Sequence, residues 1–256
     1  MGARTVKSGQ SRWFIGYKKH SLRLWIAQRE EAVLLVPLLS WTAPANRGDV
    51  LFLEPSLRHV RKRLDFTPAL VVADMAYINM ATQRRLREEL HVGVVTHLPP
   101  NYDLPKDVEP ALLMRCCQGQ KLQWLGLRED EQLHWFGVAD QPEPLCMRCW
   151  QSSECPREFS FAPSQHEIAL GTIPLNTKTA QRLLKQTRPW IEATQSYEKG
   201  QLGLGSMFLN SLRLTSIMCQ LTDTVMLLRA HALLSEPKAP HPLAEMMPSQ
   251  LNLALE

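Results

Sequence analysis

No stretch of this 256-residue chain approaches the roughly 20 apolar residues that a membrane-spanning helix needs, so no membrane partner is expected. The basic residues near the N-terminus are not followed by an apolar segment, which argues against a secretory signal peptide. Six cysteines are too few for a disulfide scaffold at this length. A reduced, cytoplasmic protein is expected, with any clustered cysteines read as metal ligands. There is no internal repeat and no low-complexity tract. What is present supports folding. Hydrophobic residues make up 45% and charged residues 21%, enough for a buried core and against wholesale disorder. The length suits one large domain or two small ones. Lys and Arg total 29 against 25 Asp and Glu, a net charge of +4. That balance permits a nucleic-acid partner without demanding one.

The patterning predicts an α/β chain. Trp13–His20 and Leu22–Ile26 read as one long strand or a hairpin, and the apolar run Ala32–Leu39 as a buried strand with an irregularity at Pro37. A loop over 42–48 leads to Asp49, which fits a helix N-cap. Val50–Leu64 then has helical spacing, with cations in its last turn. Pro68–Ala73 reads as a strand, Asn79–Leu90 as a polar helix and Val92–Leu98 as a strand. Strand, helix, strand, helix, strand points to a partly parallel sheet. The rhythm breaks over 99–178, which holds most of the cysteines and a strand-like piece at Gln132–Val138. Thr179–Gly200 and Ser206–Leu234 read as helices. The second carries a stripe of Phe208, Leu212, Thr215, Met218, Cys219, Thr222, Val225, Met226 and Ala230, expected to pack on the sheet. The Pro-rich tail after Ser235 reads as loose.

Several residues carry chemistry. Asp74 closes a strand, where open α/β folds place ligands; an acid there also serves as a turn residue or cap. Arg188, Glu192 and Lys199 stand at offsets of four and seven, on one helix face. Glu192 suits a hard divalent cation. Arg188 and Lys199 suit phosphate oxygens. The same three also suit a salt-bridged surface helix. Cys146, Cys149 and Cys155 form C-x₂-C-x₅-C, either a structural zinc site or free thiols. Its fourth ligand would be Cys116, Cys117, His134 or His166. Cys219 reads as core packing. His20 and His97 read as structural or near the site. Trp124, Trp135 and Trp150 either fill a small core or stack on bases. Lys18, Lys19, Arg58, Arg61, Lys62, Arg63, Arg84, Arg85 and Arg87 are candidate phosphate contacts that sequence does not sort from solvated face.

Four segments, in order, resemble the insertion-sequence transposases of the DDE class. Phe14–His20 resembles the G-Y-K-x-H strand of that family, and Thr42–Asn46 with Asp49 resembles its Thr-Ala-Asn-Asp loop. Val71–Tyr77 resembles the strand bearing the second catalytic acid. Arg188, Glu192 and Lys199 fit R-x₃-E-x₆-K, although the Tyr often found before that Arg is Lys185 here. The resemblance spans residues 11 to about 230. It implies an RNase H-like mixed sheet flanked by helices, with a Cys-containing insertion before the last helices. It makes Asp74 the second acid and Glu192 the third, both holding Mg²⁺ (or Mn²⁺). It also implies Arg188, Lys199, Lys18 and Lys19 against double-stranded DNA at element ends, and a homodimer when active. The first acid should precede the G-Y-K-x-H segment, yet residues 1–48 contain no Asp. An opening strand and an N-terminal DNA-binding domain are therefore expected to be missing.

The expected organisation is a first core segment over 1–98, an insertion over 99–178, closing helices over 179–234 and a tail over 235–256. The expected function is DNA transposition, incomplete in this chain. Its rivals are a non-catalytic DNA-binding remnant and a zinc-stabilised interaction protein.

Overall fold

The computed structural model describes residues 2–5, 11–14, 16–28, 32–77, 79–98, 115–116, 121–128, 130–138, 158–205 and 211–235. These form a mixed α/β chain of four α-helices and small sheets among the described residues. The chain divides into two compact units, residues 1–65 with 186–256, and residues 66–185. The boundaries differ from the expected 98/99 and 178/179. The reason lies in the second unit's core, where Val95, Leu70 and Val72 share a cluster with Ile168, Leu175, Ala180 and Leu184. Residues on both sides of the strand-rich stretch therefore fold together.

In the first unit, β1 (Gly2–Thr5) pairs with β2 (Ser11–Phe14), and β3 (Tyr17–Gln28) pairs antiparallel with β4 (Ala32–Pro44). The β3–β4 register slips between Leu22 and Arg23, whose partners are Leu39 and Pro37. Proline cannot donate a ladder bond, and the irregularity falls beside it. β4 extends over Thr42–Pro44, which the sequence reading placed in a loop; the turn is Ala45–Arg47. Helix α1 (Val50–Leu64) buries Leu53, Ser56, Leu57 and Val60. Trp41 of β4 donates from Nε1 to Ser56 Oγ at 3.0 Å, and its ring meets His59 edge-on. Asp49 makes no side-chain cap; its carboxylate is taken by Lys18 at 2.9 Å.

In the second unit, β5 (Leu70–Ala73) and β6 (Gly93–Thr96) pair in parallel. A parallel pair needs a crossover, and α2 (Met80–Leu90) supplies it. Asn79 caps α2, its Oδ1 accepting from Thr82 N at 2.9 Å. All four residues of β6 are buried. Gly93 permits a close approach: a Cβ there would lie 2.6 Å from Thr172 Oγ1 and 2.9 Å from Leu70 Cδ1. β7 (Leu122–Arg128), β8 (Leu133–Val138) and β9 (Glu158–Phe161) form an antiparallel sheet in that order. One face buries Leu122, Phe136 and Phe161 against Ala169 and Leu170, with Trp124 packed alongside. Trp135 lies under the Arg128 guanidinium at 4.1 Å and donates to Glu131. Trp124 is thus a core residue, whereas Trp135 belongs to a charged surface; Trp150 lies outside the described residues.

His134 is fully buried in this unit. Trp124 Nε1 donates to its Nδ1 at 3.3 Å, leaving Nε2–H to donate to the Gly171 carbonyl at 2.7 Å. Burial lowers its pKa, against the raising effect of the backbone bonds to Gly171 and Leu170. An unfolded histidine takes up its proton near pH 6.5; folded His134 does so only at lower pH. Its contribution to stability is therefore complete above about pH 6.5 and is lost as pH falls through the lowered folded value. The melting temperature should drop between about pH 7.5 and 5, with a shallower drop in His134→Gln. An identical pH slope in the variant would show that His134 is not the titrating group.

Helix α3 (Lys178–Gly200) starts at Thr177, whose Oγ1 accepts from Ala180 N at 3.2 Å. Pro189 sits within it and lacks the N–H that would reach the Lys185 carbonyl. Helix α4 (Leu212–Ser235) buries Thr215, Cys219, Thr222, Met226 and Ala230. The expected stripe was broader. Leu212 and Val225 are exposed, and Phe208 lies outside the described residues. α4 packs on the β3–β4 hairpin, and four of its five buried residues, Thr215, Cys219, Thr222 and Ala230, are small. No helix among the described residues is long and apolar enough to cross a membrane.

Candidate functional site

Asp74 ends β5, and its carbonyl accepts from Tyr77 N at 3.0 Å to close a single 3₁₀ turn, Met75–Tyr77. Because Asn79 caps α2, Asp74 is not needed as a cap. The residue is exposed. No hydrogen bond or ion pair engages its carboxylate among the described residues, so both oxygens face solvent as acceptors.

Arg188, Glu192 and Lys199 all lie on the exposed surface of α3. Arg188 Nε donates to Glu192 Oε1 at 2.8 Å, with side-chain exposures of 70% and 63%. At that exposure the pair contributes at most a few tenths of a kcal/mol, by the roughly 0.3–0.5 typical of i,i+4 pairs. Glu192, Gln195, Ser196, Lys199 and Gly200 line one open depression. Lys199 has no acidic partner among the described residues. Its carbonyl accepts from Gly205 N at 3.0 Å, which turns the chain back after α3. Asp74 belongs to the second unit and Glu192 to the first.

The two lysines on β3 have different surroundings. Lys18 pairs with Asp49 and remains over a third exposed at 37%. Lys19 points to the other face of the strand, where its Nζ lies 2.9 Å from Glu198 Oε1 and 2.6 Å from Asp223 Oδ1. Arg23 joins them through a 2.7 Å bond to Glu198. Lys19 is therefore occupied in a closed ion cluster, and its reading as an open phosphate contact is corrected on that ground. Sequence reasoning missed Glu198 and Asp223 altogether. The available signal was strand alternation, which puts Lys19 and Arg23 on the same face as a helix that must be charged to meet them. Cys219 lies beside the cluster, bonded to Thr42, and burial pushes its thiol pKa up. It is an inert core thiol.

His20 occupies the opposite face of β3. It is buried and stacks on Phe52 with ring centroids 3.9 Å apart. Burial lowers its pKa, and Lys18 adds to this while Asp49, 4.0 Å from Nε2, opposes it. His97 is exposed. Cys146, Cys149, Cys155 and Cys117 lie outside the described residues. Cys116 is a half-buried free thiol packed against the β7–β9 core. His134 is withdrawn as a zinc ligand, since both ring nitrogens are engaged. His166 Nδ1 accepts from Ala169 N at 3.1 Å. No three of His, Cys, Asp and Glu converge as a metal site among the described residues.

The chain matches no family model, no curated protein and no solved structure.

Proposed function

We propose that this chain is a DNA transposase domain of the DDE class with an RNase H-like core, acting on insertion-sequence ends by phosphoryl transfer. The observation that carries the reading is the order of four segments in one chain, ending in R-x₃-E-x₆-K at Arg188, Glu192 and Lys199. Two geometric features support it. Asp74 stands at the carboxyl end of a parallel strand with a carboxylate unpaired among the described residues, where open α/β sheets bind ligands. Glu192 and Lys199 share a polar depression on α3. An RNase H-like core calls for one mixed sheet. The described strands form four separate small sheets: two antiparallel pairs, one parallel pair and one three-stranded antiparallel sheet.

Asp74 and Glu192 are hard oxygen donors of the kind Mg²⁺ or Mn²⁺ takes. A bound ion would activate water or a 3′-hydroxyl and stabilise the leaving oxygen. Residues 1–48 contain no Asp to stand as the first acid of the class. A second reading, a non-catalytic DNA-binding remnant with the same fold, is favoured by the Arg188 guanidinium that already engages the Glu192 carboxylate. In both readings duplex DNA is the partner. The chain alone is expected neither to nick nor to join it. Assembly as a homodimer and a cytoplasmic location belong to the first reading.

The test separates the three residues on α3. Arg188→Ala and Lys199→Ala should each flatten the slope of log K against log salt for duplex DNA by roughly 0.9. Glu192→Ala removes an anion and frees Arg188 from its ion pair. It should bind duplex unchanged or more tightly without metal and lose any stimulation by Mg²⁺. If all three variants bind with wild-type affinity and salt slope, the face is a salt-bridged surface and the assignment falls. Flattened slopes in the two cation variants, with no metal response in the wild type, select the non-catalytic remnant.

A further inference from the structure

Nine basic side chains stood as candidate phosphate contacts, and the structure sorts them by partner. Lys18 and Lys19 are paired with carboxylates, as is Arg58 with Glu54 at 2.9 Å. Arg84 and Arg87 converge on Glu167, which is 1% exposed, and Arg85 bonds Thr82. Arg61, Lys62 and Arg63, in the last turn of α1, remain exposed with no hydrogen bond or ion pair to their side chains among the described residues. Asp65 follows at i+4 from Arg61 and i+3 from Lys62, yet pairs with neither. It is the C-cap at φ 48°, and the left-handed backbone turns its side chain off the helical row. Successive residues on a helix are about 100° apart, so the three cations fan around the helix end.

We propose that this turn of α1, through Arg61, Lys62 and Arg63, is a grip for the phosphodiester backbone of duplex DNA, on a different element from the α3 depression. The proposal rests on the DNA-binding reading above and adds a second contact surface to it. Unpaired guanidinium groups and an ammonium fit phosphate oxygens and carry no sequence information, so they position a duplex without reading its bases. A phosphate-bearing membrane fits less well. An interfacial helix must offer its apolar face to lipid, whereas Leu53, Leu57 and Val60 of α1 are buried in their own unit. Cations also suit a helix C-terminus through the dipole, and the experiment separates that role from the proposed one.

The full chain is titrated with a fluorescent duplex of arbitrary sequence over a salt series, as wild type, as R61Q/K62Q/R63Q and as Lys199→Ala. The triple variant should flatten the log–log salt slope by about 0.9 for each phosphate it no longer grips, roughly 2 to 3 in all, while retaining a cooperative melt. An unchanged slope in the triple variant beside a flattened one in Lys199→Ala overturns this inference and leaves the α3 reading intact. A lower melting temperature with an unchanged slope likewise assigns the cations to the helix dipole and overturns it. No salt-dependent duplex binding by the wild type overturns both. Retention on vesicles of phosphatidylcholine with phosphatidylserine, abolished in the triple variant and without duplex binding, makes the surface a membrane contact and overturns both as well.

Discussion

Glu198→Ala should cost the first unit about 3–5 kcal/mol, the range for removing one partner from a buried ion pair. Folded domains hold roughly 5–15 kcal/mol in total, so the variant should be marginal. The cause is what the alanine leaves behind. Glu198 is 3% exposed and is the acceptor shared by Lys19 and Arg23. Without it two cations, at 13% and 8% side-chain exposure, face the single carboxylate of Asp223. At that exposure little water reaches them to compensate. Glu192→Ala, six positions earlier on the same helix, removes an exposed carboxylate and should change stability by less than about 0.5 kcal/mol. Urea denaturation of both variants checks the contrast. Equal midpoints would mean that the cluster is solvated and that Lys19 is available to a ligand after all. Glu198→Gln keeps the shape while removing the charge, and should fall between them.

A comparable loss, about 3–5 kcal/mol, is expected for Phe136→Ala in the second unit. Phe136 is completely buried, pairs with Phe161 edge-to-face at 5.7 Å, and packs in the cluster with Leu122 and Leu170. The truncation leaves a cavity between a sheet and the turn that follows it. Trp135→Ala, next in the chain, should cost about 1 kcal/mol or less. Its ring faces outward beneath Arg128, and exposed cation–π contacts are worth roughly 0.5–1 kcal/mol. Amide exchange should show the Phe136 loss concentrated in 122–138 and 158–170. Exchange that rises instead across α1 and β3 would mean that the two units share one cooperative transition.

These contrasts mark what was readable from composition and period. Strand alternation and helical spacing placed α1, α2, β5 and β6 to within two residues at every end, because local propensity and apolar period agree there. Ends were less legible. β4 runs on to Pro44 because pairing with Tyr17–Lys19 holds residues whose composition says loop. Asp49 looked like a helix cap by type and position, but Lys18 claims its carboxylate from a strand 31 positions away. The stripe expected on α4 contains all five of its buried residues but is too wide, since Leu212 and Val225 are exposed. Its small residues face the hairpin while Leu221 and Leu228 stay in solvent.

The candidate site divides along the same line. Residue order is enough to show that an acid ends a short apolar strand and that an Arg, a Glu and a Lys share one face of a helix. Those properties depend only on period and residue type, and Asp74, Glu192 and Lys199 have them. Which charges are free to act is a matter of the folded chain. Glu192 and Glu198 are the same residue type on one helix, six positions apart, and nothing local separates them. Contact with Lys19 and Arg23 on a strand some 175 positions earlier buries one and leaves the other in water. Burial of a charge is a property of what lies across from it, since its cost in a low-dielectric interior is offset only by a partner at bonding distance. Sequence spacing carries no record of that partner.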